Sequence, residues 1–137
     1  MPTRKSSRRR RGATVVEMAF VAPVFFLLVL GMIEFGRAMM VAALLANAAQ
    51  QGARAGALDG AQTSDVTNAV NNYLSDAMIS GASTSVTPSP PSSAGAGQDV
   101  TVTVSIGYSQ VTWVPAPRYL GGTTLSATSI MQRETGQ

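Results

Sequence analysis

Residues 18–33, MAFVAPVFFLLVLGMI, hold no charged side chain, and the run Arg8, Arg9, Arg10, Arg11 stands shortly before them. As a helix, sixteen residues span about 24 Å, slightly short of the roughly 30 Å hydrocarbon core of a bilayer. Glu34 and Arg37 come next, three residues apart. At that spacing the two can pair on one helix face while their ends reach toward headgroups. AMMVAALLA, residues 38–46, continues the apolar character without a proline. The pattern predicts one long helix over about 13–57, with a transmembrane part at about 15–36. Pro23 removes one helical hydrogen bond, which lipid-buried helices tolerate when neighbours compensate. Arginines before the span and almost no basic residues after it predict a cytoplasmic N-terminus and an outward-facing C-terminal part.

The charge balance belongs to the same feature. The formal net charge is +3, but six of the ten Lys and Arg fall in the first eleven positions. After Gly12, four basic residues face seven acidic ones, a balance of −3. A nucleic-acid surface needs basic residues spread over the folded part, so that partner class is excluded. The chain has no Cys and no His, which removes thiol nucleophiles, imidazole bases and the commonest metal ligands. Asp59, Asp65, Asp76 and Asp99 are scattered at spacings that suggest no paired site. No enzyme, cofactor or metal is expected.

Beyond the long helix, DGAQTS, residues 59–64, breaks the periodicity, and a second helix is expected to start with Thr63 or Ser64 as N-cap. Val66, Ala69, Val70, Tyr73, Leu74, Ala77 and Met78 share one face of it, and Gly81 is the C-cap candidate. STSVTPSPPSSAGAG, residues 83–97, is rich in Pro, Ser and Gly and reads as a flexible loop reaching to 98, with Val86 in a short edge strand. In DVTVTVSIGY, Val100, Val102, Val104, Ile106 and Tyr108 alternate with Thr101, Thr103 and Ser105, the signature of a half-buried strand. The phase slips at Ser109 and Gln110, which suggests a bulge or a turn into a new strand carrying Val111 and Trp113. VPAPRYLGG, residues 114–122, is loop. Leu125, Ala127, Ser129 and Met131 alternate along a last strand. The expected class is α+β: a long N-terminal transmembrane helix continuing outside the membrane, a short amphipathic helix and a small three-stranded antiparallel sheet.

Two glycines and one acid carry further information. Gly52 and Gly56 form a small-xxx-small pair that admits another helix, equally within the chain's own domain or between subunits. Glu17 lies at the threshold of the apolar run, where a carboxylate costs about 2.5 to 3.5 kcal/mol at the bilayer centre and less near the interface. A cut between Gly12 and Ala13 would create an ammonium group four residues before Glu17, on the same helix face.

A basic run, a glycine, four residues, a glutamate and a hydrophobic helix together resemble the precursors that type IV prepilin peptidases process. Gly12 then matches the residue before the cut, Ala13 the new N-terminus and Glu17 the acidic fifth residue. Met18 stands where many such precursors carry an aromatic. More specifically, RRRRGATVVEMAFVAPVFFLLVLGMIEFGRA resembles the N-terminal block of the TadE-like family of tight-adherence (Flp) pilus assembly proteins, through Gly12, Glu17, Pro23, Gly31, Glu34, Phe35, Gly36 and Arg37. ANAAQQGARAGAL is similar to the block that follows, and VTVTVSIGY and SATSIMQRE resemble the family's β-rich tail. The resemblance implies a pilin-like fold with residues 1–12 as basic leader peptide, 13–57 as helix and 58–137 as extracytoplasmic domain. It implies a minor pilin or pseudopilin of the bacterial inner membrane. Its partners would be a prepilin peptidase, other pilins or pseudopilins and the assembly platform.

Three other readings compete. A secretory signal peptide would use Ala46-Asn47-Ala48 as its cleavage site, but Met18 to Ala48 is far longer than the usual core, and Glu34 and Arg37 interrupt it. An uncleaved single-pass anchor carrying an extracytoplasmic binding module keeps the topology and discards the processing. For Glu17 alone, a boundary marker is enough, because carboxylates are favourable in a helix's first turn.

Overall fold

The computed structural model describes the backbone of residues 7–114 and 119–134, with side chains from Gly12 onward. The side chains of Arg8, Arg9, Arg10 and Arg11 therefore lie outside the described residues. Helix α1 runs without interruption over Ser7–Ala57, through Pro23. At 1.5 Å per residue its 51 residues extend for about 76 Å. A second helix, α2, covers Thr63–Asp76, and three strands follow: β1 Ser83–Thr87, β2 Asp99–Gly107 and β3 Thr124–Gln132. They form an antiparallel sheet of order β1-β2-β3, with Val86 opposite Val102 and Val104 opposite Ala127. The chain is α+β, as its patterning predicts, with both helices on one face of the sheet.

The alternation in β2 does what its period implies: Val100, Val102, Val104 and Ile106 are buried, and Tyr108 just beyond it is too. On the outer face Thr103 and Thr128 share a hydroxyl hydrogen bond of 2.9 Å as a cross-strand pair. Against the inner face lies only the second half of α1. Its buried positions Glu34, Ala38, Val41, Leu45, Ala48 and Gly52 are spaced alternately four and three apart, one stripe along the helix. Val66, Val70 and Leu74 of α2 complete the core.

Several boundaries depart from the sequence reading. Helix α2 is capped by Gln62 rather than Thr63 or Ser64, and the Gln62 N–H donates to Asp65 Oδ2 at 2.8 Å. Its C-terminus is not closed by Gly81. Met78 takes the left-handed conformation (φ 56°), its N–H donates to Ser75 O at 2.9 Å, and the Ile79 N–H donates to Leu74 O at 2.8 Å. This is a Schellman closure, in which the apolar Ile79 packs back on the helix and forces the left-handed turn onto the residue before it. Met78 consequently leaves the apolar face and is 93% exposed. Of the segment read as loop, Ser83–Thr87 is the edge strand, with Val86 in it, and Pro91–Ser93 is a 3-10 turn. After β2 the phase slip at Ser109 and Gln110 is a 3-10 turn, and no new strand forms around Val111 and Trp113.

Candidate functional site

The feature with the most functional content is the other half of α1. No residue of the stretch 12–33 is buried: all are exposed, including Phe20, Phe25, Phe26, Leu28 and Met32, except Ala22, Val29 and Gly31, which are partly covered. The most apolar window of the helix has a mean hydropathy of 2.4 and is 0% buried within the fold. Twenty-two helical residues cover about 33 Å, the thickness of a bilayer's hydrocarbon core. Such a surface is far larger than the apolar patches that soluble monomers expose. The helix fits a single-pass membrane anchor.

Glu17 lies in the first turns of this bare stretch, exposed, and its side chain makes no hydrogen bond among the described residues. Gly12 and Ala13 precede it on the same helix, also exposed.

At the other end of the bare stretch the helix meets its domain, and the expected pairing of Glu34 with Arg37 is replaced by two separate attachments. Glu34 is 1% exposed. Its Oε2 accepts the Tyr119 N–H at 3.2 Å, and its carbonyl accepts the Tyr108 hydroxyl at 2.8 Å. Arg37 turns to the loop after β2, donating from Nε to Val111 O at 2.9 Å, with its guanidinium 4.4 Å from the centre of the Trp113 ring. Charged groups at the end of a span need partners, and here the fold supplies them from residues more than seventy positions away.

Gly52 and Gly56 lie inside the domain. A Cβ on Gly52 would stand 2.7 Å from Val70 Cγ2 and 3.2 Å from both Val102 and Val66; one on Gly56 would stand 3.1 Å from Val100 and Val66. Both glycines face the chain's own domain, where α1 passes between α2 and β2 and an added Cβ would crowd the valines on either side.

A third attachment was not legible in the sequence. Arg133, just beyond β3, donates to the carbonyls of Ser92 and Ala94 and reaches Asp59 Oδ1 at 2.5 Å. Beside it the Glu134 N–H donates to Ala57 O at 2.9 Å, satisfying a carbonyl at the end of α1. No local pattern marks a lone arginine near a strand end as a clasp between elements.

Comparison with known proteins bears on the same helix. The family model described as TadE-like protein matches residues 12–54. The chain carries a TadE-like segment. It begins at Gly12 and ends at Arg54, so it takes in the bare stretch, the Glu34 and Arg37 attachments and Gly52. The TadE-like match supports a protein associated with Tad pili in general, a structural rather than a catalytic class. No curated protein matches the chain, and no solved structure does either.

Proposed function

We propose that this chain is a minor pilin or pseudopilin of a tight-adherence (Flp, type IVb-like) pilus assembly system. It is made as a precursor, anchored by α1 in the bacterial inner membrane with its N-terminus cytoplasmic, and trimmed between Gly12 and Ala13 by a prepilin peptidase. The observation that carries the reading is the conjunction of the TadE-like match over 12–54 with a bare apolar helix over the first half of it. The domain needs α1 only from Glu34 onward. The preceding stretch is therefore free to lie in lipid and afterwards to pack against equivalent helices of other pilins.

Glu17 gains its role from the cut. In the precursor its carboxylate faces the membrane boundary with no side-chain partner among the described residues. After cleavage, the ammonium of Ala13 lies one helical turn away, on the same chain or a staggered neighbour, and offsets the cost of a carboxylate near hydrocarbon. The Arg8–Arg11 run holds the leader on the cytoplasmic side.

Intact-mass measurement of the membrane-extracted protein tests this directly. The expected N-terminus is Ala13. A chain retaining its leader would favour the uncleaved anchor with a binding module, and a start near residue 49 would favour a secretory signal.

A further inference from the structure

The loop joining β2 to β3 is the part of the folded domain nearest the bare stretch of α1. Val100 packs beside Gly56 and Val102 beside Gly52, while the Tyr108 hydroxyl reaches the carbonyl of Glu34. Strand β2 therefore descends α1 from its C-terminal end toward the apolar half, and β3 climbs back to Ala57. At the bottom, Tyr119 lies against Gly31, where its Cε2 would be 3.4 Å from an added Cβ. Tyr119 thus reaches one helical turn below Glu34, level with the end of the bare stretch.

Outside α1, the exposed aromatic rings among the described residues are Trp113 and Tyr119, at 68% and 55%, and both belong to this loop. Phe35, 58% exposed, stands on α1 at the same height. Arg37 sits among them, stacked on Trp113 and bonded to Val111 O, so that the indole is held to the helix rather than left on a free loop. Amphipathic rings and a stacked guanidinium at one height are the composition favoured in the headgroup layer, where the ring body meets acyl chains and the polar edge meets water.

We propose that the described ends of this loop, residues 108–114 and 119–123, form a membrane-docking foot: Trp113 and Tyr119 insert into the headgroup and ester layer of a phospholipid bilayer and set the depth and tilt at which the domain stands on its anchor. The proposal rests on the membrane-spanning reading of residues 12–33. It adds that the domain touches lipid through a second, separate element, and the occupant of the aromatic surface is lipid rather than protein.

Trp113 is the only tryptophan of the chain, so it is a built-in probe. The full-length protein is reconstituted into phosphatidylcholine vesicles at high lipid excess, its flotation with the vesicles is checked, and Trp113 emission is read with acyl chains brominated near the headgroup, with chains brominated near their ends, and with aqueous acrylamide. The expected result is a blue-shifted emission that loses about half its intensity to the shallow bromines and less to the deep ones, as for an interfacial ring. A Trp113→Phe, Ile130→Trp protein serves as the control. Ile130 is opposite Thr101, near the level of Gly52 and Gly56, about 30 Å farther along the helix. Its indole should be quenched by acrylamide and not by bromolipid. Flotation with Trp113 open to acrylamide and indifferent to bromine would overturn the foot and leave the span standing. A blue shift that fades on dilution in lipid would also overturn it, by assigning the surface to a second copy. Failure to float would overturn both.

Discussion

Gly52 shows how one side chain, or its lack, fixes the approach of three elements. An added Cβ at 2.7 Å from Val70 Cγ2 and 3.2 Å from Val102 cannot be accommodated without moving α2 or β2. Gly52→Ala should therefore lower stability by about 1–2 kcal/mol net, after an offset of about 1 kcal/mol from improved helix propensity. Gly36→Ala, where the Cβ would meet nothing within 4 Å, should instead be neutral or stabilising. Denaturant unfolding of the detergent-solubilised protein compares the two; equal effects would remove the packing argument. Met78 offers the opposite case, a side chain where none is wanted. Met78→Gly should raise the unfolding free energy by about 0.5–1 kcal/mol by relieving the left-handed backbone. These two positions also mark the limit of reading residues alone. A small-xxx-small spacing declares close approach without naming the partner, and the glycine nearest a helix end draws the eye as its cap. The cap was instead decided by Ile79, which had to return to the core.

Among the elements, α1 and β2 were legible because their periods are local: sixteen uncharged residues, then a stripe of alternating fours and threes, and a strict two-residue alternation. The loops were not, because their structure is imposed from far along the chain. Glu34 and Arg37 read as an ion pair on one helix face until Tyr119, eighty-five positions after Glu34, and Val111, seventy-four after Arg37, supply other partners. Arg133 is the same lesson at the far end, binding Ser92, Ala94 and Asp59 together. Asp59 is 70% exposed, so the ion pair contributes little, about 0–1 kcal/mol. The bonds from a mostly buried guanidinium to two carbonyls matter more, about 1.5–3 kcal/mol. Arg133→Met should thus destabilise the domain clearly more than Asp59→Asn, and thermal unfolding of the two variants reads the order; the reverse order would mean that the salt bridge, and not the carbonyl bonds, holds β3 to the end of α1.

At the scale of the whole molecule, one helix lives in two solvents. From Glu34 to Ala57 it is the spine of a small α+β domain, and from Gly12 to Ile33 it contributes nothing to that domain's core. This separation gives Glu17→Ala a definite expectation under the pilin reading: the domain folds and the chain reaches the membrane, but its recovery with assembled pili falls. Normal incorporation of that variant would reduce Glu17 to a marker of the helix boundary.

The central claim is that the solvent changes at Glu34, and the absence of cysteine makes it directly measurable. Single cysteines placed at Phe20, Phe25, Leu28 and Met32, and at Met39, Asn47 and Gln51, all occupy exposed positions of the same helix, so the fold itself does not protect either set. In the reconstituted full-length protein, a membrane-impermeant maleimide should label the second set rapidly and leave the first set largely unmodified until detergent is added. Equal labelling of both sets before detergent would contradict the account, because a water-exposed apolar half could not be the membrane anchor from which everything else here follows.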